Sequence, residues 1–538
     1  MSEPMSPCLI YVIPKTGGIS EDIAKWRPIT LLNTIYKMLA KVLCQRLQPI
    51  MPHIIHGSQT GFIKGRSIFD NIFMFWESSS IALRSRANTT VLLLDFEKAY
   101  DRVDWDFLEA VMLKMGFSSS WIKGVSALYR NATSQVLLAG GFGPLFRVSR
   151  SVRQGCPLTP FMFLFFSEAF STYLQIHRHQ GLRGLMCPFN DEEIIDAELA
   201  DDTSLYLHGS LDNLVYAEKV LSLFCIASGA KLNWNKTVGI WVSKEDPPPI
   251  WCPHVDFRWV RKGEPVRYLG VQIGIDLTPE MQIAPLLATL RRKLFFWGST
   301  RLSLAGRVVV VNQVLLATCW YISSCWILCK SSAGQIRRLV RNFLWAGQDR
   351  YARPKVSWDV IIAPVSAGGL GVIDPVDQSR ALLAKYVVRG LLPGGELWKK
   401  LLLNRLHQTC PSTGGPWSQS MRWIFNQDLH YTCSNNWEDK FFKSLWQAWQ
   451  LVRVGLQQTT PTTKEDFSAL KLIWNPSFKL PPRHQLGART RLAWGKMQEG
   501  FACTIGTLGQ VVWPWGRNLA FGHCVTFGCK LCGLRVEI

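Results

Sequence analysis

Residues 198–207 read ELADDTSLYL, two short apolar runs with the adjacent carboxylates Asp201 and Asp202 between them. The pattern predicts a pair of short buried strands joined by a tight turn. Burying an unpaired carboxylate is costly, so a buried pair calls for a cation between it and a partner. A third acidic position, Asp95, ends VLLLD (91–95), a run too short for a buried helix and rich enough in branched residues for a central strand. Asp95, Asp201 and Asp202 can therefore converge beside the hairpin turn. Magnesium takes oxygen ligands and keeps several waters, so two or three carboxylates plus substrate phosphates complete its shell. A pair of such ions activates a hydroxyl nucleophile and stabilises the leaving oxygen in phosphoryl transfer. Taken alone, adjacent aspartates more often mark a solvated turn.

The rest of the chain narrows the choice. At 538 residues it is long enough for several folded units, and 48% hydrophobic with 12% aromatic residues excludes a disordered chain. Lysine and arginine number 60 against 39 acids, a net charge of +21, which suits an extended polyanion, most simply nucleic acid. The 15 cysteines, an odd number in apolar contexts, read as reduced thiols. The first residues show no signal-peptide pattern, so the expected location is nucleus or cytoplasm, without secretion. VVVVNQVLLATCWYISSCWILC at 308–329 is uncharged and has the length of a bilayer span. Asn312 and Gln313 within it, and a basic balance spread over the whole chain, favour a buried helix and no membrane partner.

Along the chain, residues 34–51 read as a helix with Ile35, Leu39, Val42, Leu43 and Leu47 on one face. Trp105, Leu108, Val111 and Met112 mark a second helix, and Pro157 and Pro160 punctuate the start of a third. A helix is expected around 211–227, and EDPPPIWCP at 245–253 reads as a loop or boundary. From 281 to 348 the pattern is helical and basic, and beyond GGLGV (368–372) Trp-rich helices follow.

Seven blocks stand in order: WRPITLLNTIYKMLAKVLCQRL (26–47), SQTGFIKGRSIFDNI (58–72), LLLDFEKAYDRVDWDFL (92–108), RQGCPLTPFMF (153–163), ADD (200–202), SGAKLNWNKT (228–237) and RYLGVQIG (267–274). Together they closely resemble the reverse transcriptase of long interspersed, non-LTR retrotransposons, in a plant-like form. The resemblance is dense over residues 9–275 and looser beyond. It implies an α+β, right-hand polymerase fold: fingers and a palm with an antiparallel sheet over 1–275, a basic helical thumb over 276–348, and a mainly helical C-terminal region over 349–538. It also places the apolar run of 308–329 inside a thumb helix. The implied activity is RNA-directed DNA polymerisation, extending a DNA 3′-hydroxyl on an RNA template with deoxynucleoside triphosphates and two magnesium ions, manganese being the expected substitute. The alternative is a truncated remnant that binds nucleic acid without polymerising. The chain opens just before the IPK block, so the endonuclease domain usual in such elements is expected to be missing or to act from a separate chain.

Residue by residue, the resemblance makes Asp95 and Asp201 metal ligands, with Asp202 a weaker partner. Lys15 and Arg27 match fingers positions that grip the triphosphate, their cations suiting phosphate oxygens. Gln154, Gly155 and Pro157 match the turn flanking nucleotide and template base, where glycine lets backbone approach closely. Tyr100 falls where the family places a ring under the sugar, and Lys236 matches a palm lysine near the triphosphate. Phe62, Gly65 and Arg66 are expected along the template path, and Tyr268, Leu269 and Gly270 look like the primer grip. Arg291, Arg292, Lys293, Arg301 and Arg307, unopposed by any acid, suit a nucleic-acid backbone. The family's usual aromatic before ADD is Leu199 here. In the tail, His523, Cys524, Cys529 and Cys532 are spaced too tightly to make good zinc ligands, so a truncated half-motif is expected rather than a zinc site.

Overall fold

The computed structural model describes residues 8–15, 21–22, 25–130, 132–138, 141–187, 193–245, 257–298, 300–326, 328–347, 353–391, 396–408, 440–453, 526–529 and 534–537. The expected loop at 245–253 lies outside them beyond Glu245. The chain divides into two compact units, Met1–Met74 with Ile81–Arg261, and Phe75–Ser80 with Lys262–Ile538.

The first unit is organised by the strand Thr89–Leu94, all six residues of which are buried. Valine and leucine on both faces make it a central strand, because only a two-sided core hides such a run. Its sheet runs Arg258–Val260, Val238–Val242, Thr89–Leu94, Asp202–His208, Asp196–Leu199, antiparallel except for the first pair. Helices Trp105–Lys114, Thr159–Arg178 and Leu211–Ser228 supply the core, in which Phe166 and Phe170 meet Phe224 at ring separations of 5.4 and 4.8 Å. Each fully buried phenylalanine contributes about 1.5–3 kcal/mol. A second sheet pairs Cys8–Pro14 antiparallel with Trp26–Leu31 and parallel with Thr133–Leu138.

Helix Thr34–Leu47 forms as expected but its buried stripe is rotated: Tyr36, Ala40, Cys44 and the expected Leu47 are inside and Leu43 packs partly buried against the core, while Ile35, Leu39 and Val42 are exposed. The helix is apolar on more than one side, and periodicity alone does not say which side the core takes.

In the second unit, hairpin Val266–Tyr268/Val271–Ile273 precedes helices Pro279–Gly298, Leu304–Val310, Ala317–Ser323 and Lys330–Ala346. The hairpin is tied to those helices, since the Tyr321 hydroxyl donates to the Leu269 carbonyl, and it belongs with them to the second unit. Leu382, on helix Pro375–Leu391, shares a core with Leu290 and Leu316. Leu304–Ser323 is long and apolar enough to cross a membrane by length and composition, yet Val311, Leu315, Leu316 and Cys319 lie in that core. Asn312, in the π-helical turn Val311–Leu316, donates to the Gly371 carbonyl at 2.9 Å and accepts from the Ile373 N–H at 3.2 Å.

Candidate active site

Sheet register places the carboxylates. Leu94 pairs with Thr203 and Leu93 with Val238, so Asp95 leaves the central strand beside the residue that opens strand Asp202–His208. Leu199 pairs with Asp202, closing a two-residue turn of Ala200 and Asp201. Ala200 sits at φ 55°, a left-handed conformation that hairpin turns of this length usually assign to glycine. The Asp95 carbonyl accepts the Asn233 N–H at 2.8 Å, and Lys236 extends from the same loop to 3.8 Å from Asp95 Oδ2.

Burial raises the Asp201 carboxyl above its ordinary range and Asp95 adds repulsion, against a backbone hydrogen bond in the turn and the Arg27 cation, which lower it. Asp202 keeps solvent on one side while protein crowds the others; that crowding, then Asp201 and Asp95, lifts its carboxyl to about 6. Burial, then Asp201 and Asp202, push the Tyr100 phenol upward. Asp201 therefore feels the charge of Asp95, Asp202 that of both, and Tyr100 that of Asp201 and Asp202. Among the described residues no group of three or more His, Cys, Asp or Glu side chains forms a metal cage by itself. The excess of negative charge at the turn nonetheless fits a hard divalent cation, which needs only a few carboxylates when waters and phosphates fill the remaining positions.

The Tyr100 ring stacks on Phe163 at 4.4 Å and 27°, half-buried against the core. Arg27 is exposed on strand Trp26–Leu31, and Lys15 follows strand Cys8–Pro14. Burial raises the Asp101 carboxyl, against the Lys98 charge, a hydrogen bond with Ser151 and the Lys15 charge, which lower it. Gly155 has φ 116°, and a Cβ there would lie 2.5 Å from the Thr30 carbonyl oxygen; the Gln154 carbonyl accepts the Thr30 N–H at 2.8 Å. Behind this turn the buried Arg153 guanidinium stacks 5.5 Å from the Tyr36 ring and 5.9 Å from that of Tyr129. Pro157 follows, and its carbonyl accepts from the Cys44 thiol at 3.0 Å.

Several basic side chains are engaged within the protein. Arg66 donates to the carbonyls of His56, Gln59, Pro52 and Ile55 at 2.6, 2.6, 3.3 and 2.9 Å. Its guanidinium thus organises the turn that presents Phe62, 43% exposed at φ 56°, and Gly65 at φ 89°. Lys293 Nζ donates to Thr318 Oγ1 at 2.6 Å, and Arg307 donates to the Leu344 carbonyl at 2.9 Å near the end of helix Lys330–Ala346. Arg291, Arg292 and Arg301 are exposed. The Tyr268 ring is buried, whereas Leu269 and Gly270 form the turn of their hairpin at φ 45° and 82°. The tail set His523, Cys524, Cys529 and Cys532 lies outside the residues whose side chains are described.

Two residues that touch the Ala200–Asp201 turn escaped the sequence reading, Gln59 and Gly61. Both stand in the block SQTGFIKGR beside Phe62 and Arg66, whose ring and cation carry the more legible binding chemistry.

Residues 13–273 match the family model described as reverse transcriptase (RNA-dependent DNA polymerase). The chain is 27% identical over 495 residues to the transposon TX1 uncharacterized 149 kDa protein of Xenopus laevis, covering 91% of this chain and 36% of that protein. It is 22% identical over 341 residues to the probable RNA-directed DNA polymerase from transposon X-element of Drosophila melanogaster, covering 62% of this chain and 36% of that one. Telomerase from Candida tropicalis, solved with a TWJ fragment of telomeric RNA, aligns at 14% identity and a TM-score of 0.38, over 75% of this chain and 64% of that chain. The chain spans 36%, 33% and 36% of the first three curated relatives it matches, about a third of their length.

Proposed function

We infer that this chain, whose residues 13–273 belong to the reverse transcriptase family in its non-LTR, LINE-type form, is an RNA-directed DNA polymerase that extends a DNA 3′-hydroxyl on an RNA template. The observation that carries the reading is the register bringing Asp95 to the hairpin turn of Asp201 and Asp202, with their mutual repulsion relieved only in part by Arg27 and Lys236. Asp95 and Asp201, with Asp202 beside them, would hold magnesium, or manganese in its place. The cations would supply activation of the 3′-hydroxyl and neutralisation of the leaving pyrophosphate. Arg27, Lys15 and Lys236 hold and orient the triphosphate by its oxygens. Tyr100, braced on Phe163, floors the sugar and excludes a 2′-hydroxyl. Gly155 lets its turn, the one flanking nucleotide and template base in this reading, lie directly on strand Trp26–Leu31, where any side chain would meet the Thr30 carbonyl. Arg291, Arg292 and Arg301 supply sequence-independent contacts to phosphates of the primer–template.

The test is Asp201→Asn, which removes one carboxylate charge and keeps the shape. It is expected to abolish extension of a DNA primer on an RNA template while primer–template affinity stays within about twofold, since affinity rests on phosphate contacts. Near-normal extension by the variant refutes the site; absence of extension by the wild-type chain on any primed RNA supports a non-catalytic nucleic-acid-binding remnant.

A further inference from the structure

The catalytic turn is an unfavourable piece of backbone. Ala200 occupies the left-handed region at φ 55° in a two-residue hairpin, where an L-residue is disfavoured and glycine is usual. Something must hold it there, and one buried side chain touches both of its polar backbone groups. Gln59, 1% exposed, accepts the Ala200 N–H on Oε1 at 3.0 Å and the Gly61 N–H on the same atom at 2.8 Å. Backbone N–H groups can only donate, so these two hydrogen bonds fix the amide oxygen toward the turn. The nitrogen then faces Ser167 Oγ at 2.6 Å and Glu198 Oε2 at 3.1 Å, with the Ala200 carbonyl at 3.5 Å.

The surroundings reinforce this grip. Residues 58–60 run alongside the outer strand of the hairpin: the Thr60 N–H donates to the Glu198 carbonyl at 2.8 Å, and the Glu198 N–H donates to the Ser58 carbonyl at 2.9 Å. Ser167 belongs to helix Thr159–Arg178 and donates to the Glu198 carboxyl, so the amide joins helix, edge segment and turn at one point. Burial, then the Asp196 charge, push that carboxyl well above its ordinary range, which disfavours a charge beside the amide. Gly61 completes the fit, because a Cβ there would lie 2.8 Å from the Ala200 nitrogen.

We propose that Gln59 is a positioning residue that latches the Ala200–Asp201 turn, fixing where the Asp201 and Asp202 carboxylates stand when a divalent cation binds. The proposal rests on the polymerase reading and adds to it a requirement located wholly beneath the site. A glutamine is suited to the task because it presents two acceptor positions to two N–H groups and two donors to Ser167 and Glu198. Leucine keeps the volume and removes all five side-chain hydrogen bonds. Loss of a group that orients metal ligands from behind typically costs about 10–100-fold in metal affinity or activity.

Manganese binding to the metal-free protein with nucleotide and a primer–template whose primer lacks its 3′-hydroxyl, followed by electron paramagnetic resonance, reads the site without turnover. In wild type the bound manganese should be lost on Asp201→Asn; if it is not, the carboxylate assignment fails and the latch with it. Gln59→Leu should weaken manganese binding by about tenfold and lower kcat by a similar factor, with nucleotide KM and primer–template affinity within about twofold. Gly61→Ala presses on the same turn without deleting the amide and should reproduce the loss, which keeps the test decisive if Gln59→Leu folds poorly. Thr60→Val removes the hydroxyl that donates to the Glu198 carbonyl at 3.1 Å but does not touch the turn. It should lower stability and leave manganese affinity unchanged. Manganese binding at wild-type strength in a folded Gln59→Leu or Gly61→Ala protein, or a loss in Thr60→Val equal to theirs, overturns the proposal.

Discussion

Asp202→Asn should make the metal-free protein more stable at neutral pH, although it damages the site. With no cation bound, the Asp202 carboxyl is lifted from its ordinary value of 3.8 to about 6 by burial and by repulsion from Asp201 and Asp95. An acid whose folded value lies above its unfolded value costs stability as pH rises. The penalty is absent below the lower value, grows between the two, and is complete above the upper one. At about 1.36 kcal/mol per tenfold, the ceiling is roughly 3 kcal/mol. Solvent on the open side of Asp202 screens the charge, and about 1 kcal/mol is the expected remainder. The strand Thr89–Leu94 reports opening of this unit, so its amide hydrogen exchange in chelator is the assay. At pH 7.5 the variant should exchange about fivefold more slowly than wild type, and at pH 4.5 the ratio should fall below about twofold. Manganese should slow exchange in wild type more than in the variant. Faster exchange in the variant at pH 7.5, or a ratio independent of pH, refutes the electrostatic account of the turn.

Other outcomes follow from the same geometry. Gly155→Ala, which drives a Cβ to 2.5 Å from the Thr30 carbonyl at a φ of 116°, should raise nucleotide KM about tenfold or more, measured by steady-state extension. Tyr100→Ala should raise ribonucleotide relative to deoxynucleotide use by about tenfold or more on one primed template, whereas a purely structural tyrosine would depress both together. Replacing Arg292 and Arg301 by alanine should lower the salt slope of primer–template binding by up to about two, at about 0.9 for each phosphate no longer neutralised. Lys293→Met and Arg307→Leu, whose cations are engaged by Thr318 and Leu344, should lower stability and leave that slope unchanged.

The parts of the structure that could be read from the chain are those where one residue type has one physical outcome. A run of branched residues ending in Asp95 had to be a central strand, and apolar runs flanking Ala200–Asp202 had to be a hairpin. Helices opened by Pro160 and by Trp105 followed from their punctuation and stripes. What escaped depends on distant partners. Ile35, Leu39 and Val42 looked like the buried face of their helix, but the core lies on the side of Tyr36, Ala40 and Cys44. Arg66, Lys293 and Arg307 also hydrogen-bond to carbonyls and a hydroxyl elsewhere in the sequence, which their own stretches do not announce. Gln59 carried no visible signal, since the backbone it serves lies at Ala200 and nothing in a polar side chain's own neighbourhood tells which distant turn it will meet.

The helical run through Val308–Val311 has a further effect on how the protein fails. Four consecutive valines, then Val314, prefer extended backbone, and they are helical here because Val310, Val311, Leu315 and Leu316 are held in a core. Once the second unit opens, that uncharged, proline-free segment is free to pair edge to edge with copies of itself, which is the composition that seeds cross-β aggregates. Heating should therefore end in aggregation rather than in a reversible equilibrium, with an apparent midpoint that moves with scan rate and protein concentration. Shelf life is then governed by how often this unit opens, and a charged replacement at the exposed Val309 is the economical way to lengthen it.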